Sequence, residues 1–194
     1  MTAQLTILWD IDGTLLDVRG AGRRAFGVAI VRAWGATRDL SGVSFAGATD
    51  LGVLDQVLTR AALDDERTRL FFDELAIALA GELAHTAARA YPAALAATRA
   101  LAALGLPQGL LTGNEERCAR LKLRSAGFDE ALFSFGAFGH EHADRDQLAR
   151  LAADRRPGRH VVVGDTPRDV QAARSIGAVP AACVTLSTRK LIRP

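Results

Sequence analysis

Short apolar runs and stretches of helical periodicity divide the chain into two regions. Residues 4–9 form a mostly apolar run, closed soon after by Asp12-Gly13. The run is too short for a helix and reads as a strand. From Gly20 to Trp34 the pattern changes: Ala25, Val28, Ala29 and Arg32 recur at near-helical spacing, and Gly35 offers a stop. Residues 36–49 are loop-like, with Ser41-Gly42 and Ala46-Gly47-Ala48-Thr49. Asp50 is placed to cap a helix running to about Ala62, and Asp64 to cap another. In that second helix Phe71, Leu75, Leu79 and Leu83 recur every four residues, an apolar stripe on one face. Gly81 interrupts it at a cost of about 1 kcal/mol relative to Ala. Residues 17–88 thus read as helical with no strand signal, and Tyr91-Pro92 ends the region.

Beyond Pro92 strands and helices alternate. Ala93 to Gly105 is a helix with Gly at its end, and Leu106 to Leu111 a strand closed by Thr112-Gly113-Asn114. A helix to Ala126 is stopped by Gly127, and Leu132 to Phe138 is the next strand. After the loop Gly139-His140-Glu141-His142, Asp144 begins a helix to about Arg155. His160 to Val163 is a β-branched strand ending at Gly164-Asp165. Thr166-Pro167 opens another helix, Gly177 ends it, and Ala181 to Thr185 is a last short strand. This alternation implies an α/β fold with a parallel sheet and right-handed crossovers. The helical stretch becomes an insertion after the first strand. The expected division is a core of residues 1–16 and 89–194 and a helical unit of residues 17–88.

Composition narrows the function classes. The 194 residues suffice for one domain with a smaller insertion. Hydrophobic residues at 49% and charged residues at 24% fit a globular chain. Net charge is only +2, and no basic block interleaves with aromatics, so no nucleic-acid partner is expected. No apolar run approaches the roughly 20 residues of a membrane helix, and the N-terminus lacks a signal-like basic and apolar pattern. Cys118 and Cys183 lie far apart, with neither metal-ligand spacing nor a disulfide framework. They read as reduced, buried thiols of a cytoplasmic protein.

The candidate chemistry starts at Ile7-Leu8-Trp9-Asp10-Ile11-Asp12-Gly13-Thr14-Leu15. Residues two apart on a strand face the same way, so Asp10 and Asp12 leave one strand end side by side. Two carboxylates that close repel unless a proton or a cation intervenes. The simplest reading is a divalent-metal site with one carboxylate free for chemistry. Thr112, Arg145 and Asp165 also fall just past a strand or at the next helix start, where open α/β sheets bind their ligands.

The Asp-x-Asp-Gly-Thr-Leu string resembles the first motif of the haloacid dehalogenase superfamily, whose members mostly transfer phosphoryl groups. Order and spacing of the later motifs are similar along nearly the whole chain. The resemblance implies a Rossmann-like core with a helical (C1) cap, as in phosphoglycolate-phosphatase-like members. It gives Asp10 the role of nucleophile and Asp12 that of general acid and base. Thr112, which would close the second core strand, would hold phosphate oxygens together with Gly113, Asn114, Gly13 and Thr14, with capping of the following helix as the alternative role for Asn114. Arg145, in Asp144-Arg145-Asp146, stands where relatives more often carry Lys, and would neutralise nucleophile and phosphate. Lys122 is a rival cation, but its mid-helix place soon after Thr112 makes it the weaker one. Gly164-Asp165-Thr166-Pro167-Arg168-Asp169 resembles the family's acidic motif. Mg²⁺ would be held by Asp10, Asp165 and the Asp12 backbone carbonyl, with Asp169 on a metal water or orienting its neighbours. Thr49, in Gly47-Ala48-Thr49-Asp50, sits where relatives carry a substrate-facing cap loop. Arg23 and Arg24 read as solvated helix residues, and His140 and His142 as a polar loop.

The resemblance thus implies Mg²⁺-dependent hydrolysis of a small phosphorylated metabolite through an aspartyl-phosphate, by a monomer or homodimer. The rivals are a sugar phosphomutase, a haloacid dehalogenase, which would not need an acid at position 12, and a degenerate binding module. Two departures stand out: Ala93 follows Pro92 where many relatives have Gly, and the chain ends soon after the fifth strand. The latter leads to the expectation that the sheet edge near Cys183 invites association.

Overall fold

The first apolar run becomes the central strand, β1 (Leu5–Trp9), of a parallel sheet. The structure is a computed structural model that describes residues 4–58 and 64–182, and every count refers to these. β1 is flanked by β4 (Gln108–Leu111) and β6 (Arg159–Gly164), with β5 (Phe133–Ala137) and β7 (Val179–Ala182) outside them, in the order β5-β4-β1-β6-β7. Both sheet faces are covered, which is why β1 reads as an unbroken apolar run. Ile7 and Trp9 join one core cluster, and Leu8 joins the other with Leu111, Leu148 and Val162. A polar chain crosses the core without loss: Trp9 Nε1 donates to Gln108 Oε1 at 2.9 Å, and Gln108 Nε2 to the Thr98 carbonyl at 2.9 Å. The core helices are α4 (Pro92–Ala103), α5 (Glu116–Ser125), α6 (Arg145–Arg155) and α7 (Pro167–Ser175).

The inserted helices are α1 (Ala21–Trp34), α2 (Asp50–Val57) and α3 (Asp65–His85). α1 and α3 pack through Phe26 and Phe71, whose rings meet edge to face at 4.8 Å, with Leu75 and Leu79 buried along the same stripe of α3. No helix among the described residues is long and apolar enough to cross a membrane.

Several local expectations are corrected. The stretch from 17 to 88 carries a strand residue after all: Leu16–Asp17 (β2) pairs antiparallel with Arg89–Ala90 (β3). Two-residue strands are too short to leave a periodic signal. The expected core–insertion division falls on this ribbon. α2 is capped not by Asp50 but by Thr49, whose Oγ1 accepts from Gly52 N at 2.9 Å. Its expected end near Ala62 lies outside the described residues. Asp64 does cap α3, accepting from Arg67 N at 2.7 Å. β7 starts two residues earlier than the pattern placed it, and Cys183 with the expected edge contact lies outside the described residues.

Candidate active site

Asp10 follows β1 directly and is buried. The Nη2 of Arg145, at the first position of α6, donates to Asp10 Oδ1 at 2.9 Å, Asp169 Oδ1 at 2.6 Å and the Leu111 carbonyl at 3.0 Å. One buried guanidinium thus ties the ends of β1 and β4 to the first turn of α7. Carboxylate oxygens of Asp10, Asp165 and Asp169 lie within 4.8 Å of one another. Gly13 makes room for this cluster: its φ is +84°, and a Cβ there would stand 2.2 Å from Asp165 Oδ2. Thr14 Oγ1 donates to Asp165 Oδ1 at 3.2 Å. Asp169 reaches back to Thr166, accepting from its N–H at 2.9 Å and its hydroxyl at 2.7 Å. Thr166 occupies the N-cap position of α7, as Thr166-Pro167 at the helix start implies.

Burial pushes the Asp10 carboxyl up to about 7, over the opposing pull of Arg145, and Asp169 adds to the rise. Asp165 is also raised, by burial first and by Asp169 second. A donor set of oxygens alone, crowded enough to resist ionisation, fits a hard divalent cation. Asp169 is already engaged by Arg145 and Thr166, which leaves Asp10 and Asp165 as the freer pair.

Asp12 is treated differently. Its Oδ2 accepts from Lys122 Nζ at 2.6 Å and from Asn114 Nδ2 at 2.7 Å, and Lys122 also donates to Asn114 Oδ1 at 2.5 Å. Burial pulls the Lys122 ammonium down, but Asp12 together with Asp50 and Cys118 outweighs it and the net shift is upward. The side chain of Asp12 is outside the three-carboxylate cluster. The sequence reading ranked Lys122 below Arg145 because of its mid-helix place; the structure brings both cations to the site. The missed signal was periodic. Cys118, Ala119, Lys122 and Leu123 are the buried residues of α5, so the lysine lies on the helix's apolar stripe, where an unpaired ammonium would not be tolerated.

The expected phosphate-binding residues divide into two groups. Gly13, Gly113 and Asn114 line a cavity of about 370 Å³ over the carboxylates, whereas Thr14, Thr49 and Thr112 do not. Thr112 is fully buried behind Asn114, its Oγ1 accepting from Asn114 Nδ2 at 2.8 Å. Asn114 does not cap α5; Glu115 does, accepting from Cys118 N at 3.0 Å. Thr49 is committed to its cap and to the Ala143 carbonyl at 2.8 Å, so its hydroxyl faces protein rather than substrate. Arg23 lines the cavity and Arg24 does not; Arg24 pairs with Glu82 at 2.7 Å. His142 Nδ1 accepts from Asp144 N at 2.9 Å, and His140 stacks on Phe138, both apart from the carboxylates. Cys118 is a buried free thiol that burial pushes up.

Gly113 is where the insertion touches the core most closely. A Cβ there would meet the Ala48 carbonyl oxygen at 1.8 Å, and Asp50 N donates to the Gly113 carbonyl at 2.7 Å. Gly113→Ala is therefore expected to cost about 1–3 kcal/mol by forcing these backbones apart. Denaturant unfolding checks it, and an unchanged midpoint would refute the close approach.

A family model for haloacid dehalogenase-like hydrolases matches residues 5–177. The chain belongs to that family. Curated proteins gave no match. Solved structures similar to this haloacid dehalogenase-like hydrolase include CbbY from Rhodobacter sphaeroides in complex with phosphate, at 17% identity and a TM-score of 0.67 over 91% of this chain and 84% of that one. A mutant of CbbY in complex with xylulose-(1,5)bisphosphate is similar at 16% identity and a TM-score of 0.67, covering 91% and 84% of the two chains. A putative β-phosphoglucomutase from Thermotoga maritima is similar at 20% identity and a TM-score of 0.56, covering 90% and 82%. At these identities the likeness is one of fold: a parallel α/β sheet with an inserted set of helices.

Proposed function

We propose that this hydrolase cleaves the phosphate monoester of a small metabolite, with Mg²⁺ as its metal and Asp10 as its nucleophile. One observation carries the reading: two carboxylates that share a strand end sit in different surroundings. Asp10 lies among Arg145, Asp165 and Asp169, while Asp12 is held by Lys122 and Asn114. That separation suits two roles at one centre.

Asp10 attacks phosphorus, the ester P–O bond breaks, and Asp12 gives the leaving oxygen its proton. Asp12 then takes a proton from the water that attacks the aspartyl-phosphate, and inorganic phosphate leaves. Arg145 neutralises Asp10 and Asp169, and Lys122 with Asn114 fixes the direction of Asp12. Gly113 and Asn114 offer polar contacts beside the phosphoryl position, with Thr112 bracing Asn114 from behind. Mg²⁺ would be held by Asp10, Asp165 and the Asp12 carbonyl, with Asp169 behind them, and supplies charge neutralisation to the phosphoryl group. Residues 17–88 serve as a cap that excludes water from the reacting centre.

The test measures release of inorganic phosphate from a panel of phosphorylated metabolites, with Mg²⁺ and with chelator. Release that requires Mg²⁺ is expected from at least one ester. If none of the panel is hydrolysed in a Mg²⁺-dependent way, the phosphatase reading fails.

A further inference from the structure

We propose that the group esterified to the phosphate is a compact apolar alcohol, alkyl or aryl, rather than a polyol; this rests on the phosphatase reading. The observation is the chemistry of the wall that the insertion presents to the cavity. From residues 17–88 its side chains there are Val18, Phe45, Val53, Leu75 and Leu79, with alanines, glycines and only two polar residues, Arg23 and Asp50. Cys118 of α5 continues the apolar wall.

Both polar residues make bonds within the protein. The Arg23 guanidinium donates to the carbonyls of Leu40 and Val43 and lies 4.4 Å over the Phe45 ring. Asp50 Oδ2 accepts from Glu115 N at 2.8 Å. At the floor, Lys122 and Arg145 are paired with Asp12, Asp10 and Asp169.

A polyol lying against Val53, Leu75 and Leu79 would lose water from its hydroxyls with no partner on those side chains, whereas an apolar group gains from leaving water. Size agrees. A cavity of about 150 Å³ takes benzene, so about 370 Å³ holds a phosphoryl group and an apolar group of similar bulk.

The experiment compares esters of primary alcohols, so that the leaving oxygens are alike: benzyl and 3-methylbutyl phosphate against glycerol 3-phosphate and glucose 6-phosphate. With Mg²⁺, kcat/KM is expected to favour the apolar pair by about tenfold or more. Leu79→Asn should lower that ratio, mainly by raising KM for the apolar esters. Val53→Thr, which keeps the side-chain shape, should lower it in the same direction if Leu79→Asn fails to fold. Equal or better turnover of the polyol esters, lost in Asp10→Asn, would overturn the proposal and leave the phosphatase reading standing. A preference that both variants leave unchanged would also overturn it, since the wall would not be its source. Release from no ester of either kind would overturn both readings.

Discussion

Asp10→Asn is expected to lower Mg²⁺-dependent phosphate release by about 10⁴-fold or more while the protein stays folded. The amide keeps the shape of the carboxylate and can still accept from Arg145, but it is no nucleophile. Folding should survive because the charge is not what the site favours before a cation binds: burial already pushes this carboxyl up to about 7. In chelator the variant should therefore melt no lower than the wild type. Its Mg²⁺-induced rise in melting temperature should shrink, because a ligand stabilises only as far as it binds the folded state. Initial rates and thermal melts on the same preparations check this. Near-normal release would remove Asp10 from the role of nucleophile.

Arg145→Met is expected to destabilise the metal-free protein by about 3–5 kcal/mol, the cost of leaving buried carboxylates without their counter-charge. The pair is well placed for such an effect: Arg145 and Asp10 are each 6% exposed, and Asp169 is 3% exposed. Mg²⁺ should recover part of the loss, since a cation in the cluster neutralises the same groups. Arg145→Lys should retain most of the stability, because the three acceptors are all reached from one nitrogen, and an ammonium has three donors. Denaturant midpoints with chelator and with Mg²⁺ measure this. A loss well below 1 kcal/mol for Arg145→Met would show that the guanidinium is not needed to hold the carboxylates together.

The inner strands were legible because they are covered on both faces and so appear as short apolar runs between glycines and acids; the largely exposed β7 was placed two residues late. The gathering of Asp10, Arg145 and Asp165 followed from a single rule, that loops beyond strand ends share one edge of the sheet, whereas Asp169 was reached only through the resemblance to the family's acidic motif. What escaped the sequence depends on contacts between distant segments. The β2–β3 ribbon has no period to detect. Thr49 carries the same hydroxyl whether it caps a helix or meets a ligand, and only the proximity of Ala143 decides. Lys122 stood in plain view on the apolar stripe of α5, but its partner Asp12 is 110 residues away. Asn114 was read as a cap or a phosphate contact; between Asp12, Lys122 and Thr112 it is a brace.

The placement of β1 has one more consequence. As the middle strand, with parallel neighbours on both sides and apolar cover on both faces, it belongs to the part of the molecule that opens only when everything unfolds. The loop carrying Ala46 to Thr49, the opposite wall of the cavity, is tied to the core beside it: Thr49 Oγ1 donates to the Ala143 carbonyl, Asp50 N to the Gly113 carbonyl and Glu115 N to Asp50 Oδ2. Asp10 therefore leaves from the segment that opens last among the described residues, and the facing wall is pinned to the same sheet edge.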